Sequence, residues 1–222
     1  MASATKGNQT SNKSTPGATF KQLSHTQNSG SNRVIIAFFQ ISNGNNKSFT
    51  GATYGGDAMT ELYIINRGGL ASRMAVYYMI DPPEGANTLR VNFNQQNWNS
   101  MSFYARSFTD CGGIGAHLKE GGSTSPHNEN LTVENDSLIM MTCASNAAIQ
   151  TMQIPTGTTV PDINHTTNKN IGVGAISNSG HSAGSIPLRT TVNNNNVTLD
   201  AVEIKGLSGG GSTNNSDFFL VM

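Results

Sequence analysis

The chain has 222 residues, with 13 basic and 13 acidic side chains and a formal charge of zero. Charged residues make up 12% of the total, about half the ~25% of ordinary soluble domains, and Asn, Ser, Thr and Gly take their place. That balance argues against a nucleic-acid binder, which carries a basic excess or stripe, and no apolar run reaches the ~20 residues a membrane helix needs.

Residues 1–23 read as a polar N-terminal arm. The opening "MASATKGNQTSNKS" lacks the apolar core of a secretory signal, so synthesis in a cytoplasm is expected. Residues 1–19 hold no apolar cluster to offset the entropy of ordering them, so an ordered arm needs something to hold it, such as a neighbouring subunit.

From residue 33 the pattern becomes that of strands. "RVIIAFFQIS" (33–42) is β-branched and aromatic, as a buried strand should be. "SFTGATYGG" (48–56) runs into a Gly-Gly turn, and "AMTELYIIN" (58–66) follows at hairpin distance. "RMAVYYMI" (73–80) and "TLRVNF" (88–93) flank "DPPEGAN", whose prolines and glycine are turn chemistry, so the two are expected to form an antiparallel hairpin. "MSFYARSF" (101–108) is the next strand, and the Gly-rich stretch 110–130 reads as a surface excursion.

"DSLIMMTCAS" (136–145) is apolar on both parities and belongs in the centre of a sandwich. "AAIQTMQI" (147–154) is a strand or a short helix. "NIGVGAIS" (170–177), "IPLRTTV" (186–192) and "VTLDAVEIK" (197–205) complete the set, with "NNNN" (193–196) as the turn between the last two. No repeat period stands out by eye, and no long 3.6-residue periodicity appears. The expected fold is all-β: an antiparallel β-sandwich, jelly-roll-like, over residues 24–205, with the polar arm before it. Residues 206–222 are a Gly-rich linker ending in "DFFLVM". That apolar end needs cover, either as a last strand of its own sheet, which the long link favours, or by strand addition to a neighbour.

The motifs that carry chemistry are sparse. "GHSAG" (180–184) spells a nucleophile elbow, but Ser, Ile and Pro follow it instead of a helix, and no His comes after Ser182. His25, His117, His127, His165 and His181 show no metal-binding spacing, and no metal or cofactor is expected. Asp57, Glu61, Asp110 and Glu120 are the carboxylates that would have to pair for glycoside cleavage, which sequence spacing alone does not indicate. Cys111 and Cys143, 32 residues apart, read as small buried apolar side chains, with a disulfide between them as the alternative. The lone Trp98 lies among Gln96, Asn97 and Asn99; a ring face beside amides suits a sugar, and a plug at one end of the core is the simpler role.

Four segments, Ser29-Gly30-Ser31-Asn32-Arg33, Thr53-Tyr54-Gly55-Gly56, Pro82-Pro83-Glu84-Gly85-Ala86-Asn87-Thr88 and Ser107-Phe108, together with the closing "AVEIKG" (201–206), resemble a group of phage and environmental-virus β-sandwich proteins over residues 24–205. The resemblance implies a virion component and no catalytic residues. The expected function is a structural one, most of all a capsid decoration (cement) protein on the virion. Its partner would be a major capsid protein or another virion protein, and self-association, for instance as a trimer, would be natural. Phe20, Phe218, Phe219 and Leu220 are the candidate assembly contacts. A carbohydrate-binding adhesion module of a tail or fibre, working through Trp98 and its amides, is the alternative.

Overall fold

In the computed structural model, the described residues are 3–14, 18–42, 48–67, 72–95, 101–122, 126–145, 149–154, 160–163, 171–177, 179–192 and 197–207. Every regular element among them is a strand, and every strand pair is antiparallel. The first half contains β1 (Thr5–Ser14), β2 (Phe20–Gln27), β3 (Val34–Ser42), β4 (Phe49–Tyr54), β5 (Asp57–Ala58), β6 (Thr60–Arg67), β7 (Ser72–Ile80), β8 (Gly85–Phe93) and β9 (Met101–Thr109). The second contains β10 (Cys111–Gly122), β11 (His127–Val133), β12 (Leu138–Ser145), β13 (Ile149–Gln153), β14 (Val160–Ile163), β15 (Ile171–Ile176), β16 (Gly184–Val192) and β17 (Val197–Gly206).

Four sheets form, ordered β2-β8-β4-β5, β1-β9-β3-β7-β6, β10-β17-β12-β15-β14 and β11-β16-β13. They stack in that sequence, because each inner sheet is apolar on both faces. In β3, Ile35, Ala37, Phe39 and Ile41 pack toward β4 and β8, while Val34, Ile36 and Phe38 pack toward β12 and β17. β12 repeats the pattern: Leu138 and Met140 face the middle, and Ile139, Met141 and Cys143 face β11 and β16. The expectation that 136–145 lies at the centre of the stack follows directly from that two-sided burial.

The all-β sandwich expected from sequence is present, but as two sandwiches, 5–109 and 111–206, fused through a shared middle core. Three further expectations change. The described part of the polar arm is held by its own chain and needs no neighbouring subunit: Thr5–Ser14 is an edge strand on β9, and Phe20–Gln27 pairs with β8. A strand at a sheet edge can be satisfied through its backbone ladder while its side chains face water, so it needs little hydrophobicity. The segments around "DPPEGAN" do not pair with each other: β7 lies in an inner sheet and β8 in the outer one, so this turn crosses between layers. β16 and β17, for which no pairing was expected, are also in different sheets. The Gly-rich 110–130 stretch supplies β10 and the start of β11, not a surface excursion.

The Gly55-Gly56 turn, with φ of 64° and 99°, closes a hairpin, but β4 pairs only with the two-residue β5 and not with the whole expected strand 58–66. The chain then leaves for the inner sheet as β6 after the buried Met59.

Candidate functional site

The four motifs that carry the sequence resemblance meet at one corner of the first sandwich. Arg33 is the clasp. Its Nη1 donates to the Gly30 carbonyl (2.6 Å) and to Glu84 Oε1 (2.8 Å), and its Nε donates to the Pro82 carbonyl (3.1 Å). The Tyr54 hydroxyl accepts from Gln27 N (3.1 Å) and lies 3.1 Å and 3.2 Å from the carbonyls of His25 and Gly85. Asn87 Nδ2 donates to the Pro83 and Glu84 carbonyls (3.3 and 3.1 Å). The Gln27 amide donates to the Phe108 carbonyl (3.2 Å), and Ser107 Oγ donates to Asn28 Oδ1 (3.3 Å). These polar groups are spent on one another and on backbone, so the corner fixes where the layer-crossing turns sit.

His25 lies beneath this corner. Its ring is buried, edge-on to Tyr54 with centroids 5.9 Å apart, and Nδ1 is 2.9 Å from Thr10 Oγ1 on β1. Burial lowers its pKa to about 4. A neutral imidazole thus ties β1 to β2.

Two carboxylates sit inside the second half. Glu203 is buried and accepts from Ala116 N (2.7 Å), Glu134 N (2.6 Å) and Ser137 Oγ (2.6 Å). Lys205 closes the rim with an ion pair to Glu134. Asp200 is fully buried between the inner sheets, against Tyr63, whose hydroxyl is pushed well above its ordinary pKa by burial first and the Asp200 charge second. The Tyr63 ring stacks on His117 at 5.3 Å, and Lys119 Nζ is 5.9 Å from its centroid.

The serine turn has no elbow geometry. The His181 carbonyl accepts from Asp136 N (2.7 Å) and His181 N donates to the Ser137 carbonyl (2.8 Å); its ring is buried, and burial lowers its pKa. Ser182 is exposed, Ala183 N donates to Asn135 Oδ1 (3.1 Å), and strand β16, not a helix, starts at Gly184. Asp57, Glu61, Asp110 and Glu120 fall on β5, β6, the joint after β9 and β10; Glu61 accepts from the Tyr77 hydroxyl at 3.3 Å. Among the described residues no group of three His, Cys, Asp or Glu is arranged to hold a metal ion. Cys111 and Cys143 are free and buried.

Gln96, Asn97, Trp98, Asn99, Phe218, Phe219 and Leu220 lie outside the described residues. Phe20 is described. It is one of two exposed large apolar side chains among those residues, with the Arg90 guanidinium 4.0 Å from its ring centroid, and Arg90 Nε donates to Asn92 Oδ1 (2.8 Å). Around it on the outer face of β2 and β8, Gln22, Ser24, Thr26 and Thr88 are exposed, and Arg90 is the charged member. The opposite outer sheet shows Asn128, Asn130, Thr132, Ser185 and the charged Arg189.

Sequence reading missed Glu203, Asp200 and His25 as structural nodes. A signal was present for Asp200 and Glu203: each is the lone carboxylate on a mainly apolar parity of "VTLDAVEIK", beside Thr198 or Lys205. Comparison with known family models, curated proteins and solved structures finds no match to this chain.

Proposed function

We propose that the chain is a structural virion protein that decorates a capsid and cements it by protein–protein contact. The observation that carries this reading is the pair of outer sheets, rich in exposed hydroxyl and amide side chains, on a four-layer stack. Such faces form contacts that lose little to screening, because few ion pairs contribute to them. The strand orders add support for the jelly-roll expectation: the first and last strands of each half are neighbours in one sheet, and the second and next-to-last in the other. Many copies on a lattice turn modest contacts into firm attachment.

The test is to add the purified protein to heads of the virus that encodes it. Saturable co-sedimentation that persists from low to high salt, with heads that resist heat better, is the expected result. Absence of binding at every salt concentration overturns the reading. The exposed Phe20 on an amide-rich face favours the adhesion alternative as a second reading. Glycan-array binding that disappears in Phe20→Ala or Trp98→Ala would establish it in place of the first.

A further inference from the structure

The two halves share one plan. Matching β1 to β10, β3 to β12, β6 to β14, β7 to β15 and β9 to β17 turns the order β1-β9-β3-β7-β6 into β10-β17-β12-β15-β14. Matching β2 to β11, β4 to β13 and β8 to β16 does the same for the outer sheets, and among the described residues only the two-residue β5 has no counterpart. The matched strands come in the same chain order throughout.

Residue detail follows the same alignment. The first strand of each half is irregular at the same place, between Lys6 and Gln9 opposite Phe108 and Arg106, and between Ile114 and His117 opposite Ile204 and Val202. Gly7 thereby answers to Gly115. A Cβ on Gly7 would collide with Ser107, and one on Gly115 with Glu203. Ser107 and Glu203 are themselves matched, and both hold the irregular strand: Ser107 Oγ donates to the Asn8 carbonyl (3.3 Å), and Glu203 Oε2 accepts from Ala116 N (2.7 Å). Gly85 and Gly184, both at positive φ, open β8 and β16. Each is followed by a fully buried Leu, Leu89 or Leu188, and then by Arg90 or Arg189. Asn32 and Asp136, also at positive φ, each stand two residues before the matched β3 and β12.

The contacts between halves occur twice with roles exchanged. Cys111 N and Sγ lie 3.3 and 2.9 Å from the Asn32 carbonyl, so the start of the second half rests on the first. Ser3, its counterpart, lies with Asp136 over Gly180, so the start of the first half rests on the second. β7 meets β12 where Thr142 Oγ1 lies 3.5 Å from Met74 Sδ, and the matched β15 lies against β3. Exchange of roles is the mark of an isologous, twofold contact.

We infer that the chain is a fused dimer: two copies of one sandwich joined at Asp110, packed through a pseudo-twofold inner face and presenting equivalent outer sheets in opposite directions. The partner that covers each inner sheet is the duplicated half. The inference holds whatever the outer sheets bind, and its test reads folding alone, apart from any capsid assay.

A pseudo-twofold places residue 205 as near residue 3 as residue 109 is to residue 111. A circular permutant that begins at Cys111, runs through Met222 into Met1 and ends at Asp110 uses the whole chain, with 208–222 and 1–2 as its linker. Trimming that linker to four residues should leave the melting temperature equal or slightly higher, because shortening a loop between adjacent ends lowers its closure entropy. Failure of the trimmed permutant, alone or together with the untrimmed one, overturns the inference. In the unpermuted chain, Gly7→Ala and Gly115→Ala should each lower the melting temperature by several degrees; a loss at one position and none at the other overturns the equivalence.

Discussion

Acid should loosen this protein through His25. The unfolded chain carries this histidine at its ordinary pKa of 6.5, and burial lowers it to about 4 in the fold. Nδ1 is committed to Thr10, and Nε2 is enclosed with no polar partner among the described residues, so a second ring proton has no acceptor. A base whose folded pKa is depressed contributes full stability above its unfolded pKa and loses it as pH falls toward the folded one. Between pH 6.5 and about 4 only the unfolded state takes up the proton. At 1.36 kcal/mol per unit, that difference amounts to about 3 kcal/mol. Below pH 4 the loss from this group stops. The assay is urea unfolding from pH 7.5 to pH 4.5, comparing the parent with His25→Gln. The parent should lose about 2–3 kcal/mol more than the variant over that window. His181, whose pKa burial also lowers, contributes in the same direction to both proteins and cancels in the difference. Parallel pH profiles for parent and variant would refute the reasoning, because the tie between β1 and β2 would then not depend on a neutral ring.

Three further outcomes are expected. Glu203→Ala leaves Ala116 N, Glu134 N and Ser137 Oγ without their acceptor and should cost about 3 kcal/mol in chemical denaturation, with Glu203→Gln costing less. Burial pushes the Cys111 and Cys143 thiols up to about 11 and 12, so both should resist alkylation at pH 8 in the native protein and react once it is unfolded; labelling of the native protein within minutes would contradict this. Deleting residues 1–14 removes β1, the buried Ala4 and the Lys6 bond to the Ser177 carbonyl, and bares the edge of β9. Calorimetry should show a loss of roughly 5–10 °C, and size exclusion should show self-association through the new edge.

Much of the fold is legible in residue alternation. Leu89, Val91 and Phe93 face the core while Arg90 and Asn92 face out, as period two requires. "VIIAFFQI" and "LIMMTC" are apolar on both parities and lie in the two inner sheets. Turn chemistry marked the bends as well, with Gly55-Gly56 and Asp81-Pro82-Pro83 at chain reversals. The destination of the chain after a bend was not legible. "DPPEG" is compatible with a hairpin or with a crossing between layers, and the choice depends on Arg33, 49 residues from Pro82 in sequence. The two-half plan was hidden because only spaced positions such as Gly-x-x-x-Leu-Arg survive in both copies.

By itself the sequence determined local geometry: which segments extend, which faces are dry and where the chain can reverse, because these depend on side-chain shape and polarity along a few neighbouring residues. Tertiary structure alone decided that the polar Thr5–Ser14 becomes a strand, that the Gly-rich 111–122 becomes another, and that two sandwiches share a middle core. Backbone hydrogen bonds are blind to side-chain identity, so a polar or Gly-rich segment is recruited wherever a sheet offers an open edge, and that edge is set by residues far away in the chain.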